Sequence, residues 1–170
     1  MNIFILDEDP KTAANYYCDK HVPKMVVELY QQLGSALRRY GATDSQMPLT
    51  QSGRPLKGGY KHHPCTVWCG DSIYNWRWAW KHAITLCEEY LSRYNKIHFC
   101  YDGIWKMANI KGDLYERFPS IERTPFAQAM PDEYKQENAV EAYRNYYIYE
   151  KKRFAKWEKG TPAPSWWKLT

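Results

Sequence analysis

Along this chain apolar residues recur at steps of three and four, with little strict alternation. From Pro23 onward Val26, Leu29, Leu33, Ala36, Leu37 and Tyr40 form one stripe, the pattern of a helix that buries one face, and Gly41 is a natural stop. A stronger stripe, Ile73, Trp76, Trp80, Ile84, Cys87, Leu91 and Tyr94, follows Asp71 and Ser72, either of which can cap it. A short helix is predicted around Tyr101 to Ala108. A last one starts near Asn138, with Val140, Tyr143, Tyr147, Phe154 and Trp157 on one side.

Near the start, Asp9 and Pro10 read as an N-cap and first helical residue, because proline's missing N–H is not needed there. That helix should run to about Asp19, since Pro23 withholds a donor and disfavours helical geometry at Val22. Ile3 to Leu6 is either a short buried strand or an extended lead-in. Residues 41–63 carry glycines, two prolines and almost no apolar period, so they read as a loop. One turn of helix is expected between Pro125 and Pro131, and GTPAPSWWKLT as a strap docked through Trp166 and Trp167. The fold class is therefore mainly α: a single compact domain over residues 1–170, of about four to six helices with long loops and an irregular, Trp-rich C-terminal strap.

Composition adds two things. Of the 170 residues 28 are Phe, Trp or Tyr, mostly Tyr and Trp, which suit a core and equally a surface on which bases stack. The formal charge of +5 favours a polyanionic partner. Five cysteines without a framework or signal peptide point to a reducing cytoplasm, and no apolar run approaches the ~20 residues of a membrane span. A homodimer is compatible with the sequence but not specified by it.

Chemistry concentrates in CDKHVPKM, residues 18–25. Cys18 and His21, with His63, Cys65 and Cys69, offer zinc-type donors, but their spacings are irregular and burial explains the cysteines equally well, so no metal or other cofactor is expected. A zinc deaminase lacks its H-x-E element, and neither a Walker sequence nor G-x-G-x-x-G is present. A Cys18 nucleophile competes with Cys18 as packing, which is favoured. What remains is an imidazole among charges at a helix junction, beside a basic aromatic loop. His21 is assigned proton transfer, Asp19 its orientation or the stabilisation of a cationic sugar, and Lys20 a role beside them. Lys24, Lys57, Tyr60, Lys61, His63, Arg77 and Trp78 are assigned to substrate binding.

MNIFILDEDPKTAA, CDKHVPKM, HHPCTVW, TPFAQAMPDEYK and EKKRFAKW resemble segments of a family of small bacteriophage proteins. K-H-V-P-K, residues 20–24, and GGYKHHP, residues 58–64, are similar in order and spacing to two elements of the phage pyrimidine-dimer DNA glycosylases of the endonuclease V type. In that family a charged pair followed by Leu-Pro-Arg carries the essential glutamate, and a Gly-Tyr and His-Pro loop comes later in some members. The resemblance implies a helical fold that clasps DNA and cuts a glycosidic bond, with a Schiff base formed by the N-terminal amine. His21 stands where the family has its glutamate, and Asn2 behind Met1 predicts a retained methionine whose own amine would have to serve.

The sequence thus points to a phage-encoded, cytoplasmic protein acting on nucleic acid at a base or glycosidic bond, a glycosylase or base-modifying enzyme. The competing reading is a non-catalytic binder of a nucleotide or host protein, such as a counter-defence protein that sequesters a nucleotide signal.

Overall fold

The computed structural model describes residues 2–168. The chain begins with a buried extended segment. Ile3 to Leu6 are almost wholly inside, and their amides bond to side chains of other elements, Phe4 N–H to the Tyr17 hydroxyl at 2.8 Å and Ile3 N–H to Cys65 Sγ at 3.5 Å. It is the lead-in, not a strand. Among the described residues the one β-type pairing is an isolated bridge between Leu49 and Pro55.

Helix α1 spans Pro10–Asn15, with Asp9 accepting from the Thr12 amide at 2.8 Å as its cap. It ends about a turn earlier than the pattern predicts, and α2, His21–Arg39, begins two residues before Pro23. Pro23 therefore sits inside the first turn of α2, where amides lack intrahelical partners anyway. The Asp19 carbonyl, which in a continuous helix would look to the missing Pro23 N–H, instead accepts from the Tyr94 hydroxyl at 2.7 Å. The proline starts a helix here and does not simply end one.

Residues 41–63 are the expected loop. Its Gly58 lies in the left-handed region at φ +86, and a Cβ there would stand 2.4 Å from Ser35 Oγ. Both conditions are met only by glycine. Ser35 Oγ donates to the Gly59 carbonyl at 2.7 Å and accepts from its amide at 2.8 Å, which ties the loop to α2.

Helix α3, Pro64–Asp71, is capped by His63, whose Nδ1 accepts from the Cys65 amide. Ser72 then caps α4, Ile73–Tyr94, which ends at Asn95 in the left-handed region. This central helix packs against α1, α2, α3 and α5, Tyr101–Met107. It is consequently buried on more than the predicted stripe: Trp78, Ala79, His82 and Ala83 are inside, while Leu91 is about half exposed. A single amphipathic stripe presumes one partner, and this helix has several.

Polar side chains of α4 hold the long connection that follows. Ser72 Oγ donates to the Ile121 carbonyl at 2.6 Å, and Asn75 exchanges hydrogen bonds with Thr124. Residues 119–129 form no regular secondary structure, so the predicted helical turn between Pro125 and Pro131 does not form. A 3-10 turn follows at Asp132–Tyr134. Helix α6, Ala139–Lys151, starts at its Asn138 cap and ends short of Phe154 and Trp157.

The strap is fixed by polar anchors as well as by its tryptophans. Asp19 N–H donates to the Lys156 carbonyl, Glu158 N–H to Asp19 Oδ2 at 2.7 Å, and Trp157 Nε1 to the Tyr16 carbonyl. Trp166 and Trp167 pack on Tyr147. The result is one compact, mainly helical domain of six α-helices among the described residues. None is long and apolar enough to cross a membrane.

Candidate functional site

Helix α2 has two faces. Its apolar residues pack on α4, while His21, Lys24, Glu28 and Gln32 follow one another at steps of three and four along an adjoining face. Such spacing puts four polar side chains on one line. Lys24 Nζ lies 3.8 Å from the Glu28 carboxylate. At the N-terminal end of this line a cleft of about 520 Å³ is lined by Lys20, His21, Lys24, Arg153 and Phe154.

His21 forms the floor. It is 5% exposed, stacked on Phe4 with ring centroids 4.9 Å apart and edge-on to Phe154. Its Nδ1 is 2.8 Å from the Tyr147 hydroxyl. Burial, then the ammonium groups of Lys151 and Lys24, bring its pKa down to about 3. The imidazole is therefore uncharged at neutral pH and does not titrate there, unlike the poised acid or base expected from its neighbours in sequence. Lys20 sits over the Phe154 ring at 5.0 Å, and Lys151 over Tyr146 at 4.7 Å.

Asp19 does not face His21. Its Oδ1 takes Arg93 Nη1 at 3.1 Å and its Oδ2 the Glu158 amide. Arg93 is wholly buried and also reaches Glu89, the Tyr17 carbonyl and the Asn15 carbonyl. The carboxylate predicted to orient the histidine belongs to an ion pair that joins α1, α2, α4 and the strap, and Tyr147 takes the orienting position.

The loop residues divide between two places. His63 caps α3 beside α2, within the electrostatic reach of Glu28. Its pKa is lowered chiefly by burial, against the pull of that carboxylate. Lys57 and Lys61 instead line a groove of about 440 Å³ with Arg38, Arg39 and Thr66, near the C-terminal end of α2. His21 and Ser35, which also lines that groove, are fourteen residues apart, about 21 Å along the helix axis. Lys57 is engaged by Asp44 at 2.8 Å. Tyr60, at φ 56 and more than half exposed, presents its ring at the loop tip.

Two α4 residues lie elsewhere. Arg77 is exposed over the Tyr74 ring and borders a separate groove with Trp80, Lys81 and Tyr115. Trp78 is 6% exposed, donates to the Glu8 carbonyl at 2.8 Å and stacks on His82. It is core. Its position on α4 predicted surface because only one face of that helix was given a partner.

The sequence reading missed four members of the site. Glu28 was legible in principle, as a carboxylate at helical spacing from His21 and Lys24. Tyr147, Arg153 and Phe154 carried no such signal, since they approach across more than a hundred residues of chain. The cysteines are all unpaired and buried, and burial raises the Cys18, Cys65 and Cys69 thiols. Among the described residues no three His, Cys, Asp or Glu side chains are gathered as a metal site. The expectation for the Met1 amine falls outside the described residues.

Fold and site define a small all-helical protein with a cationic, aromatic-walled cleft at the start of its second helix. Residues 1–102 match the family model described as pyrimidine dimer DNA glycosylase, and the chain belongs to that family. The matched stretch holds α1 to α4 and, of the cleft, Lys20, His21 and Lys24. Tyr147, Arg153 and Phe154 come from beyond it. Comparison with curated proteins and with solved structures gives no match.

Proposed function

We propose that this protein acts on DNA as an N-glycosylase, breaking the bond between a base and its sugar. The observation that carries the reading is the polar line of α2 within the family-matched stretch, where His21, Lys24 and Glu28 lie in register beside His63. Because Asp19 is committed to Arg93 and His21 stays neutral, Glu28 is the carboxylate best suited to meet positive charge developing on the sugar. Lys20, Lys24 and Arg153 are suited to phosphates of the strand. Tyr60 offers a stacking face for a base, and Lys57 and Lys61 a second basic contact near the C-terminal end of α2.

The test is incubation with ultraviolet-irradiated, alkylated and unmodified duplex DNA, with abasic sites read as alkali-labile strand breaks and any released bases by mass spectrometry, since a dimerised base cut from its own sugar stays tethered to its partner base. Abasic sites in one of these substrates are expected, with Glu28→Gln slowing their formation by roughly 10²-fold or more while binding persists. No abasic site in any substrate removes the reading. The second reading is a counter-defence protein that binds a nucleotide without turning it over. It gains support from a His21 that does not titrate near neutrality, and a co-purifying nucleotide recovered unchanged is its expected signature.

A further inference from the structure

The Tyr147 hydroxyl fixes which nitrogen of His21 carries the proton. That hydroxyl is wholly buried and has two partners, the Cys18 amide at 3.1 Å and His21 Nδ1 at 2.8 Å. An amide can only donate, so Cys18 N–H occupies one lone pair of the phenolic oxygen. The phenolic proton then needs an acceptor. His21 Nδ1 is at hydrogen-bond distance, and the nearby Cys18 sulfur is a poor acceptor by comparison. If Nδ1 carried the proton instead, two N–H groups would point at one hydroxyl whose own proton had only the thiol to meet, and burial makes such a loss costly.

With Nδ1 accepting, the proton of the neutral ring lies on Nε2. Nε2 makes no hydrogen bond among the described residues, and His21 forms part of the cleft wall with Lys20, Lys24 and Arg153. Lys151 lies close behind, over the Phe4 and Tyr146 rings. Against these four cations stand the carboxylates of Glu28, on Lys24, and Glu150, within electrostatic reach of Lys151, so positive charge remains in excess among the described residues. A fixed N–H donor amid excess positive charge is complementary to an oxygen of an anion.

We infer that His21 is an uncharged hydrogen-bond donor, its Nε2–H presented to a phosphodiester oxygen held by Lys20, Lys24 and Arg153, and that Tyr147 is the positioning residue that sets this tautomer. The choice of phosphodiester rests on the DNA reading above. The donor itself does not. It explains why a histidine can stand at this position: an ionised glutamate among the same groups would accept, where His21 donates.

Ring nitrogen shifts of the full chain, read by NMR through the ring C–H couplings, test this directly. The wild type should show a protonated Nε2, a bare Nδ1, and no titration between pH 5 and 8. A short oligonucleotide should move the His21 Nε2 signal, whereas inorganic phosphate at the same phosphate concentration should move it less. Tyr147→Phe keeps the ring's packing and should give a mixture of tautomers, with oligonucleotide binding weakened only by the fraction of Nε2–H lost, roughly twofold for an even mixture. His21→Gln, which can still offer an amide N–H, should bind more tightly than His21→Glu.

A protonated Nδ1, or titration near neutrality, overturns the tautomer. A pure Nε2–H tautomer in Tyr147→Phe removes Tyr147's role. An Nε2 signal indifferent to both anions, or one that answers inorganic phosphate alone, overturns the phosphodiester assignment. If every NMR signature holds and no abasic site is ever formed, the glycosylase reading fails by itself and the anion site stands.

Discussion

Replacing Arg93 with Met should be the most disruptive single substitution outside the apolar core. The Arg93 side chain has no solvent exposure and makes four kinds of contact. It meets the Glu89 carboxylate at 2.6 Å, Asp19 at 3.1 Å, and the carbonyls of Tyr17 and Asn15 at 2.7 and 3.0 Å. Methionine fills much of the volume but leaves two largely buried carboxylates without their cation and two carbonyls without a donor. Removing one partner of a buried pair costs about 3–5 kcal/mol, which exceeds the packing that methionine restores. For a domain of this size that is a fall in Tm on the order of 10 °C. Urea denaturation followed by circular dichroism measures it, and Asp19→Asn provides the comparison. The asparagine keeps an acceptor for the Glu158 amide and leaves Arg93 with Glu89, so a loss of about 1–2 kcal/mol is expected. A loss under about 1 kcal/mol in Arg93→Met would refute the argument that this pair ties the helices to the strap.

The buried histidines predict acid sensitivity. The pKa of His21 is lowered to about 3 and that of His82 to about 4, both below the 6.5 of an unfolded chain, so the unfolded state gains protons first as pH falls. Their contribution is complete above about pH 6.5 and is lost as pH falls from there to about 4 for His82 and about 3 for His21, at up to ~1.4 kcal/mol per pH unit for each. Urea midpoints at pH 7.5, 6.5, 5.5 and 4.5 should fall accordingly, less steeply in His21→Gln, and a flat profile would contradict the burial of both rings. Gly58→Ala combines a left-handed φ with a Cβ 2.4 Å from Ser35 Oγ; it should shift the loop carrying Tyr60 to His63 and cost about 2 kcal/mol or more, and a variant of unchanged stability and loop proteolysis would count against that close approach. Tyr143→Phe removes a hydroxyl that donates to the Ala127 carbonyl and accepts from the Ala129 amide; about 1–3 kcal/mol of stability should go, with faster amide exchange confined to residues near 127–130.

Much of the framework was legible because it rests on local chemistry. The Asp9, Ser72 and Asn138 caps, the glycine loop and the apolar stripe of α2 each follow from a few neighbouring residues, and the structure has each where the pattern put it. What the pattern could not supply was the number of partners a helix would have. The central helix buries Trp78 as well as Trp76, so a residue read as surface became core. Nor could residue order show what a side chain faces. Asp19 and His21 are two positions apart, but Asp19 turns toward Arg93 and the strap, while His21 turns into the Phe4, Tyr147 and Phe154 rings.

The amino-acid sequence by itself determined the helical class, most element starts, and the concentration of chemistry in residues 19–24, because capping, proline and periodicity act over one or two turns. Tertiary structure alone decided what that chemistry is. Burial and a ring of cations made His21 neutral, and a tyrosine 126 residues away gave its Nδ1 a partner. A histidine's proton depends on the dielectric and the hydrogen bonds around it, and both are properties of the folded surroundings.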